Sequence, residues 1–417
     1  CEQTPLAGVH RKASERASER AAQGRAAGGA FVRRRGRMMQ VASRRAVAAA
    51  ALRARGGAAR GFASVGGSDE DFTPADPKSI DYAGLGFGYT PTKSMAVYNF
   101  DWNNGWDNGQ LQASPFLRVH ALSNVIHYGQ SIFEGLKAFH TKDGRVCAFN
   151  PKGNAERMRN GARRLGMPEV PEAVFLEAIE RVVKDNVDYV PPYGSEGSFY
   201  LRPFLTGHGA KLGLGVAPKF MLGCMGSPVG NYYKNGIKPI NAAVIDYDRA
   251  APRGVGDVKC AGNYAADVKP AKEAQDAGFE IALYLDPKER KYIEEFSTSN
   301  LIAISKDKST LITPKSDSIL PSITNVMLQQ IAKDKGLKVE RRPLSLDELK
   351  EMGEVGACGT AVVISIIGSV THKGERQQFN TDCDVLMDLY EELRGIQTGV
   401  RPDNHGWLHH ICDKPLP

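Results

Sequence analysis

A lysine stands between two glycine-containing segments in the stretch RGVGDVKCAGNYAAD, residues 253–267. A Walker phosphate loop requires Gly-Lys followed by Ser or Thr, whereas Lys259 follows a valine and precedes a cysteine. A dinucleotide fingerprint fails too, because it requires a third glycine where Lys259 stands. Two interpretations remain: a solvated loop charge, or a partly desolvated amine that reacts with an aldehyde. In the second, Gly256 and Gly262 leave room for a planar group.

The segment HGWLHHIC, residues 405–412, contains a second set of residues that could do chemistry. Three histidines and one cysteine stand at a spacing that could hold a metal on a helix. The segment is close to a Pro-rich terminus and no second ligand cluster accompanies it, so we expect a solvated tail and no metal. The seven cysteines of the chain are scattered without a C-x-x-C pair, which favours a reducing compartment over a disulfide framework.

Hydrophobic periodicity predicts mixed strands and helices in two blocks, separated by a hinge rich in Gly, Pro and Asn at 227–239. A mixture of this kind indicates an α/β or α+β architecture. Strands are predicted at SMAVYNFDW, GRVCAFN, SFYLRPFL and KFMLGCMG in the first block, and at INAAVID, IALYLD, YIEEFS, NLIAISK, TLITP and AVVISIIGSV in the second. Helices are predicted at PEAVFLEAIERVVKDN, YAADVKPAKEAQDAG, LPSITNVMLQQIAKDKG and VLMDLYEELRGIQ.

Basic residues are concentrated at the start of the chain. Residues 1–67 hold 14 Lys and Arg and three acidic residues, so the remaining residues contribute −4 to the chain's net charge of +7. The mildly acidic remainder does not favour nucleic-acid binding. Residues 1–67 are rich in Ala, Arg, Gly and Ser, which predicts a disordered organellar presequence. Its apolar run, 46–52, is too short to span a membrane.

Several ordered stretches together resemble the branched-chain amino acid aminotransferases, which are pyridoxal phosphate enzymes of fold type IV. The resemblance covers about residues 81–407. The stretches that carry it are HYGQSIFEGLKAF (127–139), ERMRNGARRLGMP (156–168), YLRP (200–203), VKCAGNYAA (258–266), EEFSTSN (294–300), LPSIT (320–324) and GTA (359–361).

The resemblance implies a site for pyridoxal 5'-phosphate. Lys259 would bond to the cofactor aldehyde and move a proton, Tyr264 would bind the ring oxygen, and Glu295 would bind the ring nitrogen. Alternation along a strand then places Glu294 on the opposite face, where we expect a surface charge. The cofactor phosphate would be bound by Arg157, by the helix start at Ile323 and Thr324, and by Thr360.

The resemblance also implies a substrate pocket. Tyr128, Phe133 and Tyr200 would line an apolar side-chain pocket suited to Leu, Ile and Val. The amides of Thr360 and Ala361 would hold the α-carboxylate. Arg202 would bind the second carboxylate of glutamate, or form a buried structural ion pair instead.

The implied fold is a two-domain α/β or α+β fold like that of D-amino acid aminotransferase, in a homodimer. We expect a presequence at 1–67, a linker at 68–80, a small domain at 81–230, a second linker at 231–238 and a large cofactor domain at 239–417. The implied reaction transfers the amino group of L-leucine, L-isoleucine or L-valine to 2-oxoglutarate in two half-reactions. Neither nucleic acid nor membrane is expected as a partner.

Two other functions and two compartments stay open. Another fold type IV enzyme, such as a D-amino acid aminotransferase or aminodeoxychorismate lyase, is one alternative, and a cofactor-free binding protein is the other. The pattern RGFAS at 60–64 is similar to a mitochondrial processing site, which favours the mitochondrion. The plastid is the alternative, because presequences for the two organelles overlap in composition.

Overall fold

The strands of the described residues form two sheets of nine strands each. A computed structural model describes residues 72–230 and 238–416, which lie within one compact unit, Gly67–Pro417. The predicted presequence lies outside the described residues, as does most of the predicted linker at 231–238. Short 3-10 helices occur at Pro77–Ser79, Val187–Tyr189 and Glu348–Glu351.

The first sheet is antiparallel throughout, and most of it comes from the first half of the chain. Its strands from that half are β1 (Met95–Asp101), β2 (Gly105–Trp106), β3 (Gln110–Gln112), β4 (Ser131–Phe133), β5 (Leu136–His140), β6 (Arg145–Phe149), β7 (Ser198–His208) and β8 (Lys219–Val229). The α-helices among the described residues of this half are α1 (Asn124–Tyr128), α2 (Pro151–Arg164) and α3 (Glu172–Asp185).

The second sheet contains parallel and antiparallel pairs. Its strands are β9 (Ile240–Val244), β10 (Ile281–Leu285), β11 (Ile293–Phe296), β12 (Asn300–Ser305), β13 (Thr310–Pro314), β14 (Lys338–Arg342), β15 (Met352–Gly359), β16 (Val363–His372) and β17 (Glu375–Gln378). The helices here are α4 (Ala261–Asp276), α5 (Ile323–Asp334) and α6 (Asp384–Gln397). Strand β18 (Leu408–Asp413) then returns to the first sheet and pairs with β6.

Six strands of the second sheet close into a ring. Strand β11 pairs with β10 on one side and with β12 on the other, and β9, β16 and β15 complete the circuit. The pairing of β11 with β12 joins Glu295 to Asn300. The predicted site carboxylate therefore lies where the ring closes.

Helix α3 shows how local sequence produces the packing around the first sheet. Its apolar residues recur at helical spacing, and Phe175, Ala178, Ile179, Val182 and Val183 are buried. Burying one large apolar side chain of this kind contributes about 1.5–3 kcal/mol. Helix α2, which carries Arg157, packs in the same hydrophobic cluster through Met158 and Ala162. The first sheet and its two long helices therefore form a common core that positions the arginine.

The strands and helices predicted from periodicity are confirmed, whereas two expectations about loops are wrong. The hinge was expected from residue 227, but β8 continues to Val229, because its glycines and proline pair with the equally long β7. The expected solvated tail is β18 instead, with Ile411 buried in the first hydrophobic core. The division into domains at 81–230 and 239–417 stays a prediction, and β18 belongs to the sheet of the earlier half.

Candidate active site

Lys259 lies where a series of turns ends and α4 begins. A bridge between Ile132 and Cys260, together with a 3.1 Å bond from the Phe133 amide to the Lys259 carbonyl, fixes this backbone to β4. The side-chain amide of Asn263 closes the turn by donating to the carbonyls of Val255 and Val258. The lysine backbone is therefore held by both neighbouring segments of the chain.

The Lys259 side chain is half-buried against two aromatic rings. Its Nζ lies 4.7 Å from the ring centre of Phe133 and 5.0 Å from that of Tyr264, and it donates to the Tyr264 hydroxyl at 2.8 Å. Burial, followed by the nearby Arg157 charge, lowers the pKa of Lys259 to about 7. Burial raises the pKa of Tyr264 to about 12, so the phenol stays protonated. This geometry favours the reactive-amine interpretation over the solvated loop charge.

Glu295 is a fully buried carboxylate on β11. The Asn300 side chain donates to it at 3.1 Å and the Leu320 amide at 3.4 Å, while the Arg249 guanidinium lies 3.7 Å away. Burial raises the pKa of Glu295 to about 7, and the Arg249 charge opposes this rise. Two nitrogens of Arg249, Nε and Nη1, are buried without a hydrogen-bond partner among the described residues. A further polar group beside this pair would therefore be favourable.

Glu294 and Glu295 have different hydrogen-bond partners, as expected for opposite faces of a strand. The expectation that Glu294 is a surface charge is wrong. The side chain is buried, and its Oε1 accepts hydrogen bonds from the hydroxyls of Ser316 and Ser318. Burial raises the pKa of Glu294. The sequence did not reveal this because β11 is covered on both faces, so alternation does not separate a buried face from a solvated one.

Arg157 projects from α2 into a buried ion pair. Its Nε and Nη2 donate to the two carboxylate oxygens of Glu134 at 2.8 and 2.6 Å, and its Nη1 donates to the Pro321 carbonyl at 2.9 Å. Asn154 donates to the same carboxylate at 2.7 Å. Pro321 directly precedes Ser322, the N-cap of α5, so the arginine lies beside the start of that helix.

The start of α5 offers backbone amides near this arginine. Ser322 caps the helix by accepting from the Asn325 amide at 3.2 Å, and Ile323 and Thr324 are the first two residues of the helix. The first amides of a helix have no acceptor inside it and favour an anion. Ile323, Thr324 and Thr360 line one cavity of about 20 Å³. The three predicted phosphate contacts at this end are therefore close to one another.

A tight turn after β15 carries Thr360 and Ala361. The buried Lys137 donates to the Ala361 carbonyl at 2.7 Å, and burial lowers the pKa of this lysine to about 7. Val363, at the start of β16, has a φ of 71°, which is costly for a β-branched residue. The turn is thus both strained and held in place by a buried lysine.

Two of the predicted substrate residues, Phe133 and Tyr200, form an aromatic group around a third, Arg202. Arg202 donates to the Tyr200 hydroxyl at 3.0 Å and lies over the Phe133 ring at 4.9 Å. Its Nε is buried without a hydrogen-bond partner in the part of the chain that the structure describes. No carboxylate pairs with Arg202 there, which does not favour the structural ion pair. Phe87 packs edge-on against Tyr200 at 5.0 Å, a contact that the sequence did not predict.

Tyr128 is placed apart from this group. It is exposed, and its hydroxyl donates to the Leu212 carbonyl at 2.6 Å. It lines a separate cavity of about 420 Å³ together with Leu214, Cys260 and Gly262. Its predicted role in substrate binding stays a prediction.

Sequence reasoning missed five residues that support the site: Phe87, Glu134, Lys137, Arg249 and Asn300. Glu134 and Lys137 are charged residues within a strand-like apolar run, which was a usable signal for buried ion pairs or hydrogen bonds. Arg249 and Phe87 carry no comparable local signal. Within residues 72–230 and 238–416, no group of three or more His, Cys, Asp or Glu side chains is placed so that it could hold a metal ion. No helix in these ranges is long and apolar enough to cross a membrane.

The family model described as amino-transferase class IV matches residues 131–370, more than half of the chain. The branched-chain-amino-acid aminotransferase of Haemophilus influenzae is 44% identical over 341 residues, which cover 79% of this chain and 98% of the relative. Branched-chain-amino-acid aminotransferase 5, chloroplastic, of Arabidopsis thaliana is 41% identical, covering 79% of each chain. Branched-chain amino acid aminotransferase 1, mitochondrial, of Humulus lupulus is 38% identical, covering 81% of this chain and 86% of the relative.

Solved structures agree with these sequence relatives. The branched-chain amino acid aminotransferase of Escherichia coli has a TM-score of 0.64 and 25% identity. The match covers 76% of this chain and 100% of that structure. The expected fold class, with two sheets and mixed helices and strands, is confirmed.

Proposed function

We propose that this chain, which belongs to the class IV amino-transferase family, transfers the amino group of L-leucine, L-isoleucine or L-valine to 2-oxoglutarate using pyridoxal 5'-phosphate. The observation that carries the proposal is the grouping of Lys259, Tyr264, Phe133 and Arg202 within one network of contacts. It combines a desolvated amine with an aromatic pocket and an arginine that has an unpaired nitrogen.

The residues present fit the cofactor. A desolvated amine can bond to an aldehyde, the buried carboxylate Glu295 suits a protonated ring nitrogen, and Arg157 with the α5 N-terminus suits a phosphate. When bound, pyridoxal phosphate supplies the aldehyde that receives the substrate amine and a ring that accepts electrons. The Arg249 guanidinium places positive charge 3.7 Å from Glu295, which favours the ionised carboxylate that a cationic ring nitrogen requires.

Lys259 would act as the base and acid that moves the substrate Cα proton. A pKa lowered to about 7 makes the neutral amine accessible near neutral pH, so both proton acceptance and proton return are available. The Tyr264 hydroxyl, 2.8 Å away, orients Nζ and stays protonated, so it can also donate to an oxygen of the cofactor ring.

The two ends of the substrate would be recognised by different parts of the site. The amides of Thr360 and Ala361 lie on the turn that Lys137 holds, and they are suited to the α-carboxylate. Phe133, Tyr200 and Phe87 present apolar surface to a branched side chain. Arg202 lies within the same aromatic group, so 2-oxoglutarate could place its second carboxylate there.

We also propose a homodimer. Large apolar side chains are exposed around α1 and the loop after β7, among them Ile126, Leu212 and Leu214, of which Leu214 is 83% exposed. Exposed apolar patches of this kind mark interaction sites. Sedimentation of the purified protein tests this: a dimer is expected, Leu214→Asp should weaken it, and a monomer at micromolar concentration would contradict it.

The mitochondrion is the proposed compartment and the plastid is the alternative. The Arg-rich, acid-poor stretch before residue 68 supports import into an organelle. Of the two plant relatives, the one from Arabidopsis thaliana is named chloroplastic and the one from Humulus lupulus mitochondrial. Fusing residues 1–80 to a fluorescent protein tests this. Import into plastids would select the alternative, and a cytosolic signal would contradict both.

An amine-transfer assay tests the reaction itself. Purified protein loaded with pyridoxal phosphate is offered Leu, Ile, Val and D-Ala with 2-oxoglutarate, and glutamate is measured. Turnover of the three branched L-amino acids is expected. Turnover of D-Ala alone would identify another fold type IV enzyme, and absence of both turnover and imine absorbance would indicate a cofactor-free protein.

A further inference from the structure

We infer that Glu134 is a positioning residue that presets Arg157 for the cofactor phosphate, an inference that rests on the proposed function. Glu134 stands between β4 and β5 and is 0% exposed. It is bound to β7 because its own amide donates to the Pro203 carbonyl at 2.7 Å. Its carboxylate is therefore attached to the first sheet, whereas Arg157 comes from α2.

The ion pair fixes the plane of the guanidinium. Nε and Nη2 form two parallel bonds with the Glu134 oxygens, and a bidentate pair of this kind allows little rotation. Nη1 is used once, toward the Pro321 carbonyl. Asn154 donates to Glu134 as well, so the carboxylate itself is held from a second direction.

The ion pair leaves two N–H groups of the Arg157 guanidinium available to a ligand. A guanidinium has five N–H groups, and the protein acceptors take three of them. The two that remain belong to Nη1 and Nη2, beside the start of α5 where the Ile323 and Thr324 amides have no acceptor inside the helix. A phosphate oxygen accepts readily from both kinds of donor. By occupying Nε and one N–H of Nη2, Glu134 therefore determines which N–H groups of Arg157 are available to the anion.

Because the Glu134 carboxylate is buried, we expect this position to be sensitive to substitution. A carboxylate with no exposure is stable only when it is paired, and Arg157 with its 10% exposed side chain is its cationic partner. When glutamine replaces Glu134, one oxygen is left to accept from Arg157, so the pair of bonds that defines the orientation of the guanidinium is lost although helix α2 is unchanged. The expected consequence is weaker binding of the phosphate, not a change in the reacting amine.

The test compares two ligands that differ only in the phosphate. Apo enzyme is titrated with pyridoxal phosphate and with pyridoxal, and the imine absorbance gives both dissociation constants. Glu134→Gln should weaken pyridoxal phosphate binding by at least about 10-fold, the range expected for lost charge-assisted bonds, and should change pyridoxal binding less than about twofold. Glu156→Gln, which removes an exposed glutamate paired with Arg159 on the same helix, should change neither.

A second variant covers the case in which Glu134→Gln does not fold. Glu134→Asp keeps the buried charge but shortens its reach, so an intermediate loss for pyridoxal phosphate alone is expected. Wild-type affinity for pyridoxal phosphate in whichever variant folds, or an equal loss for both ligands, would overturn the inference. A wild-type protein that binds neither ligand would overturn the proposed function and this inference together.

Discussion

Two lysines in this molecule have pKa values lowered to about 7 by burial, and their surroundings are different. Lys259 donates to a tyrosine hydroxyl and lies against two aromatic rings, beside two arginines and two glutamates. Lys137 donates to the backbone carbonyl of Ala361 in a strained turn. Desolvation alone therefore does not identify a reactive amine. The partner of the lysine nitrogen distinguishes the two roles, because Lys259 donates to a tyrosine hydroxyl and Lys137 to a backbone carbonyl.

The largest effect is expected from Lys259→Ala. Losing the amine removes both the bond to the cofactor and the proton transfer, so the rate of transamination should fall by at least about 10³-fold. The measurement is glutamate formation from leucine, with the imine absorbance recorded on the same sample and circular dichroism as the folding control. Wild-type turnover would mean that Lys259 is not the reacting amine.

Glu295→Gln should come next. The neutral amide cannot stabilise a positive ring nitrogen, so turnover should fall by roughly 10²-fold while cofactor occupancy changes little. Single-turnover rates and occupancy by absorbance check this. Glu294→Gln is the matched control, because its carboxylate is bonded to Ser316 and Ser318 instead. Equal losses in the two variants would argue against a special role for Glu295.

Lys137→Met should have a smaller effect of a different kind. The Ala361 carbonyl loses its donor, and a lost bond of this type costs about 1–3 kcal/mol in a buried setting. Because the turn is suited to the substrate carboxylate, the KM for leucine should rise about 10-fold while kcat stays within about threefold. Steady-state kinetics at saturating cofactor measure both values. A loss confined to kcat would place Lys137 in the chemistry and remove the contrast with Lys259.

The smallest effect concerns stability and pH. A lysine whose folded pKa is about 7 binds fewer protons folded than unfolded between pH 7 and about 10.4, so its burial makes stability rise with pH across that window. Lys137→Met should lower the slope of unfolding free energy against pH by the contribution of one titrating proton. Urea unfolding at about pH 7.5 and about pH 9.5 measures it, in a Lys259→Ala background so that the other lysine does not contribute. An unchanged slope would show that Lys137 titrates normally.

The resemblance to a family, rather than any local pattern, predicted the site residues that are close in sequence. Lys259 and Tyr264 are five residues apart at a helix start, and their side chains are in contact. Glu134 and Arg157 are 23 residues apart, and they meet because α2 packs against the first sheet. Sequence periodicity identifies the elements but not how they pack, so both the pair and the burial of Glu294 were missed.

The return of β18 to the first sheet has a consequence for how the protein folds. Strand β6 ends at Phe149, but its partner strand begins at Leu408, after every strand of the second sheet. Pairings with such long sequence separation form late, because closing a long loop costs conformational entropy before the new contacts compensate for it. During synthesis, the edge of the first sheet therefore stays uncovered until the second half has left the ribosome.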